Sequence, residues 1–317
     1  MTLRAPTRDE IDAARARIRG IALRTPLVRL KHDGPDEIYC KLEQLQPIGS
    51  FKIRCGANAL LSLPDEVRRD GVVTASAGNF AQGLGYAAKQ IGVRVTSVVP
   101  DSAATSKLQA LEKLGVALDI RSYEDWWRVM EAPHANGFGA NFIHPVMEPA
   151  VLAGNATIGL ELIEDLPAMA NVLVPYGGGG LAVGIAAAVK AYRPDIRVFA
   201  VETEAAMPVA AAFQAGVPVT VEMKPSFVTG MGSRRVLDPM WPLVQSLLDG
   251  AVSTTLAETA SAIRLLVERH HVVAEGAGAA PVAAALAGCD GPTVCIISGG
   301  HLDTTHLQAI LAHSIPA

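Results

Sequence analysis

Short apolar runs alternate along this chain with longer segments that have helical periodicity. Thr7 and Glu10 form a capping box that predicts the start of the first helix, and Gly20 predicts its end. The same reasoning predicts strands over 72–75, 93–99, 116–120, 171–175, 197–201 and 293–297, and helices over 80–90, 105–114 and 181–191. Continuous apolar strands separated by helices are typical of parallel sheets that are buried on both faces. The pattern therefore predicts an α/β fold with mostly parallel sheets.

Glycine-rich segments follow three of the predicted strands. They are Ser-Ala-Gly-Asn at 76–79, four consecutive glycines at 177–180, and Ser-Gly-Gly at 298–300. Ligands of open parallel sheets bind outside the carboxyl ends of the strands. A helix is predicted to begin after each of the first two segments, and the free N–H groups of a helix N-terminus favour an anion. We therefore expect the four glycines to bind a phosphate group and the 76–79 segment to bind a substrate carboxylate.

One of the lysines, Lys52, lies between apolar residues just after the turn formed by Gly49 and Ser50. A lysine that loses hydration is more easily deprotonated, and a neutral amine forms a Schiff base with a carbonyl compound. By itself, such a lysine is usually a solvated surface residue. Together with the glycine-rich segments, however, it predicts a site for pyridoxal phosphate, an aldehyde that carries a phosphate group.

The composition excludes several classes of protein. Half of the 317 residues are hydrophobic, 18% are charged, and the net charge of −4 argues against a nucleic-acid partner. No apolar run reaches the length of a membrane span, and residues 1–20 do not read as a secretory signal. The four cysteines lack the spacing of a zinc site. We therefore expect a cytoplasmic enzyme without a membrane or nucleic-acid partner.

Two other classes of function compete with this interpretation. Gly177, Gly179 and Ala182 have a loose dinucleotide-binding spacing, and Glu202 ends the next strand, where such folds place a ribose-binding acid. This pattern alone would predict a nicotinamide-dependent oxidoreductase, but it leaves Lys52 and two of the glycine-rich segments unused. A non-catalytic ligand-binding protein is the third alternative.

Several of these segments together resemble a known family. Gly-Ser-Phe-Lys-Ile-Arg at 49–54 is similar to the cofactor-binding motif of fold-type II pyridoxal phosphate enzymes, in the serine/threonine dehydratase and serine racemase branch. The other glycine-rich segments, and Glu-Gly-Ala-Gly-Ala at 275–279, follow in the family's order. The resemblance implies two open twisted α/β domains of the tryptophan synthase β type. A small mobile domain over 69–148 would be inserted in a large domain over 1–68 and 149–317, and a homodimer is expected.

The resemblance also implies roles for individual residues. Lys52 would bind the cofactor covalently and act as the catalytic base. The other cofactor-binding residues would be Phe51, Asn79, Gly177, Gly178, Gly179, Gly180 and Ser298. The substrate carboxylate would be held in the segment formed by Ser76, Ala77, Gly78, Asn79 and Phe80. In this family a phenylalanine at position 80 is a departure, because histidine is common there.

The implied reaction is α,β-elimination of water from a β-hydroxy amino acid, which gives a 2-oxo acid and ammonia. Racemases of the family carry a serine where this chain has Ala77, so we favour a dehydratase over a racemase. Serine, threonine, 3-hydroxyaspartate, phenylserine and a hydroxylated derivative from compatible-solute breakdown remain candidate substrates. The chain ends soon after the last predicted strand, so we expect no regulatory domain.

The resemblance also bears on a divalent cation site, for Mg²⁺ or Ca²⁺. Glu202 matches one ligand of the family's cation site, but Pro208 stands where the family has an acidic ligand. Proline offers no side-chain oxygen to a hard cation. We therefore expect the cation site to be weak or absent.

Overall fold

The computed structural model describes residues 3–316, in which helices and strands alternate for most of the chain. The helices are α1 (Arg8–Arg17), α2 (Lys52–Ser62), α3 (Asp65–Arg69), α4 (Asn79–Ile91), α5 (Thr105–Lys113), α6 (Tyr123–Glu131), α7 (Pro149–Asp165), α8 (Gly180–Tyr192), α9 (Pro208–Ala215), α10 (Trp241–Leu247), α11 (Leu256–His270), α12 (Gly276–Leu286) and α13 (Thr304–Leu311). The strands are β1 (Leu27–Arg29), β2 (Ile38–Lys41), β3 (Val72–Thr74), β4 (Val95–Pro100), β5 (Val116–Arg121), β6 (Asn171–Pro175), β7 (Arg197–Thr203), β8 (Ala251–Thr254) and β9 (Thr293–Ile296).

The strands form two separate, mostly parallel sheets. The larger sheet has the order β1-β2-β9-β6-β7-β8, and the smaller one has the order β3-β4-β5. All neighbouring strands are parallel except the edge strand β1, which runs antiparallel to β2. Strand β6 lies in the interior of the larger sheet, where Leu173 pairs with Phe199 on one side and with Cys295 on the other. The predicted mixed α/β fold with mostly parallel sheets is confirmed.

The elements predicted from the sequence are present, with small shifts at their ends. The capping box at Thr7 and Glu10 forms, because each side chain bonds the other residue's backbone N–H. The strand predicted over 93–99 is β4, which includes Pro100 as its last residue. Strands β1, β2 and β8 were not predicted, because three or four residues are too few for a periodic pattern. The long helix α7 was not predicted either, because its residues 151–162 are buried all round and lack a polar face.

Helix α2 lies unusually close to two other helices. A Cβ atom at Gly83 of α4 would lie only 2.5 Å from the carbonyl oxygen of Lys52, and one at Gly56 would lie 2.8 Å from the Leu84 nitrogen. On the other side, a Cβ atom at Gly154 of α7 would lie 2.6 Å from the Cα atom of Cys55. Glycine is therefore required at these crossings, which hold the first turn of α2 against α4 and α7.

Apolar side chains cover both faces of the larger sheet. Helices α7, α8 and α10 contribute to a core on one face, and α11 and α12 to a core on the other. A third core joins α2 and α4 to the smaller sheet, and it includes Phe80. Among the described helices, none combines the length and the hydropathy that crossing a bilayer requires.

Candidate active site

Lys52 begins α2 and lies between two aromatic rings. Its Nζ atom is 4.9 Å from the centre of the Phe51 ring and 5.8 Å from that of Phe80. The side chain is half-buried, and within residues 3–316 its Nζ atom has no hydrogen-bond partner and no acidic partner. By contrast, Lys41 is fully buried, and its Nζ atom lies 2.7 Å from a Glu161 carboxylate oxygen. Lys52 is therefore an accessible amine that no carboxylate neutralises, as a reactive lysine requires.

The 76–79 segment connects β3 to the N-terminus of α4, next to Lys52. Ser97 of β4 anchors it, because the Ser97 Oγ atom donates a hydrogen bond to the Ser76 carbonyl at 2.7 Å and accepts one from the Ser76 N–H at 3.3 Å. The Ser76 hydroxyl accepts a hydrogen bond from the Gly78 N–H at 3.2 Å. Helix α4 begins at Asn79 without a side-chain cap. The first N–H groups of α4 thus remain available to an anion.

The four glycines connect β6 to α8, as predicted. Gly179 has a φ of +90°, in the left-handed region that favours glycine, and α8 begins at Gly180 without a side-chain cap. Within residues 3–316, the N–H groups of Gly177, Gly178 and Gly179 donate no hydrogen bond. Three successive free N–H groups at a helix N-terminus form an anion-binding concavity. This geometry suits a phosphate group.

The 298–300 segment contacts the residues directly before Lys52. The Phe51 N–H donates a hydrogen bond to the Ser298 carbonyl at 3.0 Å, and Gly299 pairs with Ser50 in an isolated antiparallel bridge. The Gly300 N–H donates to the Gly49 carbonyl at 3.0 Å. Ser298 is buried at the end of β9. The third predicted segment therefore lies beside the N-terminus of α2.

Buried polar atoms without partners occur on five residues of the described chain, which are Trp126 on α6 and four residues around these loops. Within the described part of the chain, the Ser50 hydroxyl, the Tyr176 hydroxyl, the Asn155 Oδ1 atom and the Gln44 side-chain amide are buried and form no hydrogen bond. Ser50 adjoins Gly299 and Gln44 adjoins Gly300, whereas Tyr176 adjoins Gly179. Unsatisfied buried polar groups are rare in folded proteins and call for a ligand or water. Together with the amine of Lys52 and the free glycine N–H groups, they fit a phosphorylated aldehyde cofactor.

His144 organises the segment that packs on the four glycines. Its Nδ1 atom accepts hydrogen bonds from the N–H groups of Val146 and Met147, at 3.1 and 2.9 Å. The proton of the neutral ring therefore lies on Nε2, which donates to the Met130 carbonyl at 3.2 Å. The Val146 methyl groups lie 3.1 Å from the position that a Cβ atom of Gly178 would occupy. His144 thus sets the position of Val146 against the four glycines, a role that no sequence signal indicated.

We expect the stability of the protein to fall with acid because of His144. Burial lowers the pKa of His144 from 6.5 to about 4. The unfolded chain therefore binds more protons between these values, and the folded state loses up to about 3 kcal/mol of stability as the pH falls from 6.5 to 4. In His144→Asn, whose amide oxygen still accepts a hydrogen bond but does not titrate, the loss should be smaller.

Urea denaturation at several pH values measures this difference. His134→Asn is the matched control, because His134 is an exposed histidine of the neighbouring segment. It should keep the acid dependence of the original protein. An unchanged acid dependence in His144→Asn would show that other groups cause the loss.

A buried network of charges holds the start of α2. Arg54 donates to both carboxylate oxygens of Glu43, at 2.8 Å each, and to those of Glu161, at 2.7 and 2.9 Å. Burial raises the pKa of the Glu43 carboxyl, but the charge and hydrogen bonds of Arg54, together with Thr25 and Lys41, lower it more, so that the net pKa is below the usual value. Glu43 lies two residues after the end of β2, whereas Glu161 belongs to α7. The network therefore fixes the helix that carries Lys52 to two distant segments.

Glu202 is engaged by the N-terminus of α9. Its carboxylate accepts hydrogen bonds from the N–H groups of Val209 and Ala210, at 2.7 and 3.0 Å. Burial raises the pKa of Glu202, and these two bonds oppose the rise. Both oxygens are thus occupied at the position where the rival interpretation needs a ribose-binding acid. Among the described residues, no three histidine, cysteine or acidic side chains come together to hold a metal ion.

We expect Mg²⁺ and Ca²⁺ to leave the melting temperature unchanged. At a free cation concentration of a hundred times its Kd, binding would stabilise the folded state by about 2.7 kcal/mol. A thermal melt detects a stabilisation of this size readily. The occupied oxygens of Glu202 offer no such site. A rise in melting temperature that disappears in Glu202→Gln would contradict this expectation.

The comparisons with known proteins agree with this geometry. The family model described as pyridoxal-phosphate dependent enzyme matches residues 18–299. An L-threonine ammonia-lyase from Thermotoga maritima is 39% identical over 96% of this chain and 78% of its own length. The structure of maize serine racemase has a TM-score of 0.87 and 31% identity, covering 98% of both chains. That of the threonine deaminase from T.th. has a TM-score of 0.82 and 32% identity, covering 94% of this chain and 99% of its own.

The region that the family model matches contains Lys52 and the three glycine-rich segments, except for Gly300. The similarity therefore covers the loops and the amine around which the unpartnered polar atoms are arranged. From both the sequence match and this arrangement, the chain belongs to the family of pyridoxal-phosphate dependent enzymes.

Proposed function

We propose that this protein is a pyridoxal-phosphate dependent dehydratase, an ammonia-lyase, that eliminates water from a β-hydroxy amino acid of the serine and threonine type. The observation that carries the proposal is the unpaired amine of Lys52 beside the uncapped N-terminus of α4, in a chain whose described residues also leave three glycine N–H groups free at the start of α8. The names of the T. maritima ammonia-lyase and the T.th. threonine deaminase support the reaction class. The products would be a 2-oxo acid and ammonia.

Residues on three segments would hold the cofactor. Lys52 would bind it covalently, and Phe51 and Asn79 would contact its ring. The N–H groups of Gly177, Gly178, Gly179 and Gly180 would bind its phosphate, and the Ser298 hydroxyl would bind its ring nitrogen. A serine hydroxyl is a weaker acid–base partner than a carboxylate, so this site would not keep the ring nitrogen protonated.

The cofactor, when bound, supplies an acceptor for the electrons that the substrate Cα releases. The chain supplies the rest. The N–H groups of Ala77 and Asn79, free within residues 3–316, would bind the substrate carboxylate and orient its Cα–H bond toward Lys52. The Lys52 amine would remove the Cα proton as a general base. The rings of Phe51 and Phe80 flank this amine and would limit the access of water to it.

Ala77 favours elimination over racemisation. Racemisation requires a second acid–base group on the face of the substrate opposite Lys52, which returns the proton from that side. The family's racemases carry a serine where this chain has Ala77, and a methyl group cannot carry a proton. The apolar ring of Phe80, 2% exposed, adds no proton carrier. The similarity to maize serine racemase makes racemisation the second candidate function.

A panel of β-hydroxy amino acids tests the proposal. The purified protein with pyridoxal phosphate would be incubated with L-serine, L-threonine, 3-hydroxyaspartate and phenylserine, and the release of 2-oxo acid and ammonia would be measured. Chiral chromatography of the remaining amino acid would report racemisation. We expect equal amounts of 2-oxo acid and ammonia from at least one substrate. Faster interconversion of enantiomers than 2-oxo acid release would contradict the proposal.

We also propose a domain division and an assembly. Residues 69–148 would form a small domain that moves over bound substrate, and 1–68 with 149–317 a large one. This division is supported by the smaller sheet, whose strands all lie between Val72 and Arg121. The protein would act as a homodimer in the cytoplasm, where its free cysteines would stay reduced. Sedimentation velocity should then give twice the 33.2 kDa mass of the chain.

A further inference from the structure

The carboxyl group of Glu275 is buried and has no partner. Glu275 directly precedes α12, and only 6% of its surface is exposed. Its side chain does not cap α12, and within residues 3–316 no donor contributes a hydrogen bond to its carboxylate. Burying a carboxyl group without a hydrogen-bond partner lowers the stability of the fold. Such a group is therefore expected where a ligand or a reaction uses it.

Two glycines allow this carboxyl to reach the cofactor-binding loops. A Cβ atom at Gly299 would collide with the Oε1 atom of Glu275, and one at Gly230 would lie 3.6 Å from it. The oxygen is therefore enclosed between these two backbone segments. Any larger residue at position 299 would displace the carboxyl.

Each of these two glycines belongs to the surroundings of a different cofactor-binding loop. Gly299 follows Ser298 and pairs with Ser50, two residues before Lys52. The carbonyl oxygen of Gly230 lies 3.1 Å from the position that a Cβ atom of Gly177 would occupy. The Glu275 carboxyl thus adjoins the segment assigned to the ring nitrogen, and it also adjoins Gly230, which itself packs against the loop assigned to the phosphate.

We propose that Glu275 contacts bound pyridoxal phosphate as a neutral acid that donates a hydrogen bond to it, and that the loss of this proton changes the cofactor's absorption. The inference rests on the proposed cofactor site. It adds a titrating group to a site whose other residues, apart from Lys52, carry no charge. The ionisation of Glu275 would thereby set the pH at which the absorption of the cofactor-loaded protein changes.

Charges on the neighbouring elements are compatible with this role. Burial raises the pKa of Glu275 to about 7, and the positive charge of Lys107 on α5 opposes the rise. Residues 227–231 and 298–300, which adjoin the carboxyl, contain no ionisable side chain. The next residue, His301, is a second titratable group near Lys107, and burial followed by that charge lowers its pKa.

A pH titration of the visible absorption of the cofactor-loaded protein tests the inference. We expect the original protein to show a spectral transition near neutral pH, and Glu275→Gln to keep the low-pH spectrum throughout. His301→Asn should retain the transition, which excludes the histidine as its source. Glu148→Gln is the matched control, because Glu148 also precedes a helix and its pKa is raised by burial. It should retain the transition as well.

A variant of an exposed residue gives an answer even when Glu275→Gln does not fold. In the His301→Asn background, Lys107→Ala should move the transition to higher pH, because it removes the charge that lowers the pKa of Glu275. A transition that persists in Glu275→Gln, or that does not move in the Lys107 variant, would overturn the inference while the cofactor site stands. A protein that binds no pyridoxal phosphate at all would instead overturn the proposed function.

Discussion

Replacing Lys52 by alanine should lower the rate of 2-oxo acid formation by at least ~10³-fold with every substrate. A positioned general base contributes about 10²–10⁴-fold to a rate, and Lys52→Ala removes both this base and the covalent attachment of the cofactor. Its amine is the one that lies between the rings of Phe51 and Phe80 without an acidic partner. The assay is release of 2-oxo acid under saturating pyridoxal phosphate.

The fold should survive this change, because Lys52 is half-buried and its Nζ atom holds no other group. Thermal melting should therefore be close to that of the original protein. Reduction of the loaded protein with borohydride, followed by peptide mass spectrometry, should place the cofactor on Lys52 and not on the fully buried Lys41. The exposed Lys89→Ala is the control and should retain activity. Appreciable turnover by Lys52→Ala would remove the mechanism.

Replacing Arg54 by methionine should destabilise the protein by roughly 3–5 kcal/mol, the usual cost of removing one partner from a buried ion pair. The Arg54 side chain is 1% exposed, and it holds the carboxylates of Glu43 and Glu161. Methionine fills part of the space but leaves these two charges without their shared cation. Urea denaturation measures the difference in the free energy of unfolding.

Two further variants serve as controls for Arg54→Met. Arg54→Lys keeps the charge but not the planar fork that binds two carboxylates, so its loss should be intermediate. Arg128→Met removes an exposed arginine, 67% accessible, from its pair with Asp125, and it should change stability little. Equal losses in Arg54→Met and Arg128→Met would show that the buried network does not stabilise α2.

Local sequence was sufficient for the elements that carry the three glycine-rich segments. Short apolar runs at β3, β6 and β9, each followed by a glycine-containing turn, are signals that lie within one element and its turn. The order of the segments could be recognised for the same reason. The reactive lysine was identified from its flanking residues, although its roles toward cofactor and substrate remain a prediction.

Other parts of the site depend on residues that are far apart in the chain. Arg54 and Glu161 are separated by 107 positions, and nothing in either local sequence indicates that they meet. His144 was one of several scattered histidines until the structure placed its ring against the backbone of Val146 and Met147. Burial and partners arise from packing between elements, so no local pattern reports them.

Chain sequence alone determined the α/β class, the alternation of strands and helices, and the positions of the glycine-rich turns, because these follow from periodicity and backbone freedom within a few residues. Tertiary structure decided which lysine is free and which is paired, and it placed the Glu275 carboxyl between two distant loops. The electrostatic state of a side chain depends on its distance to other groups and on its exposure to water. Only the folded chain defines these two quantities.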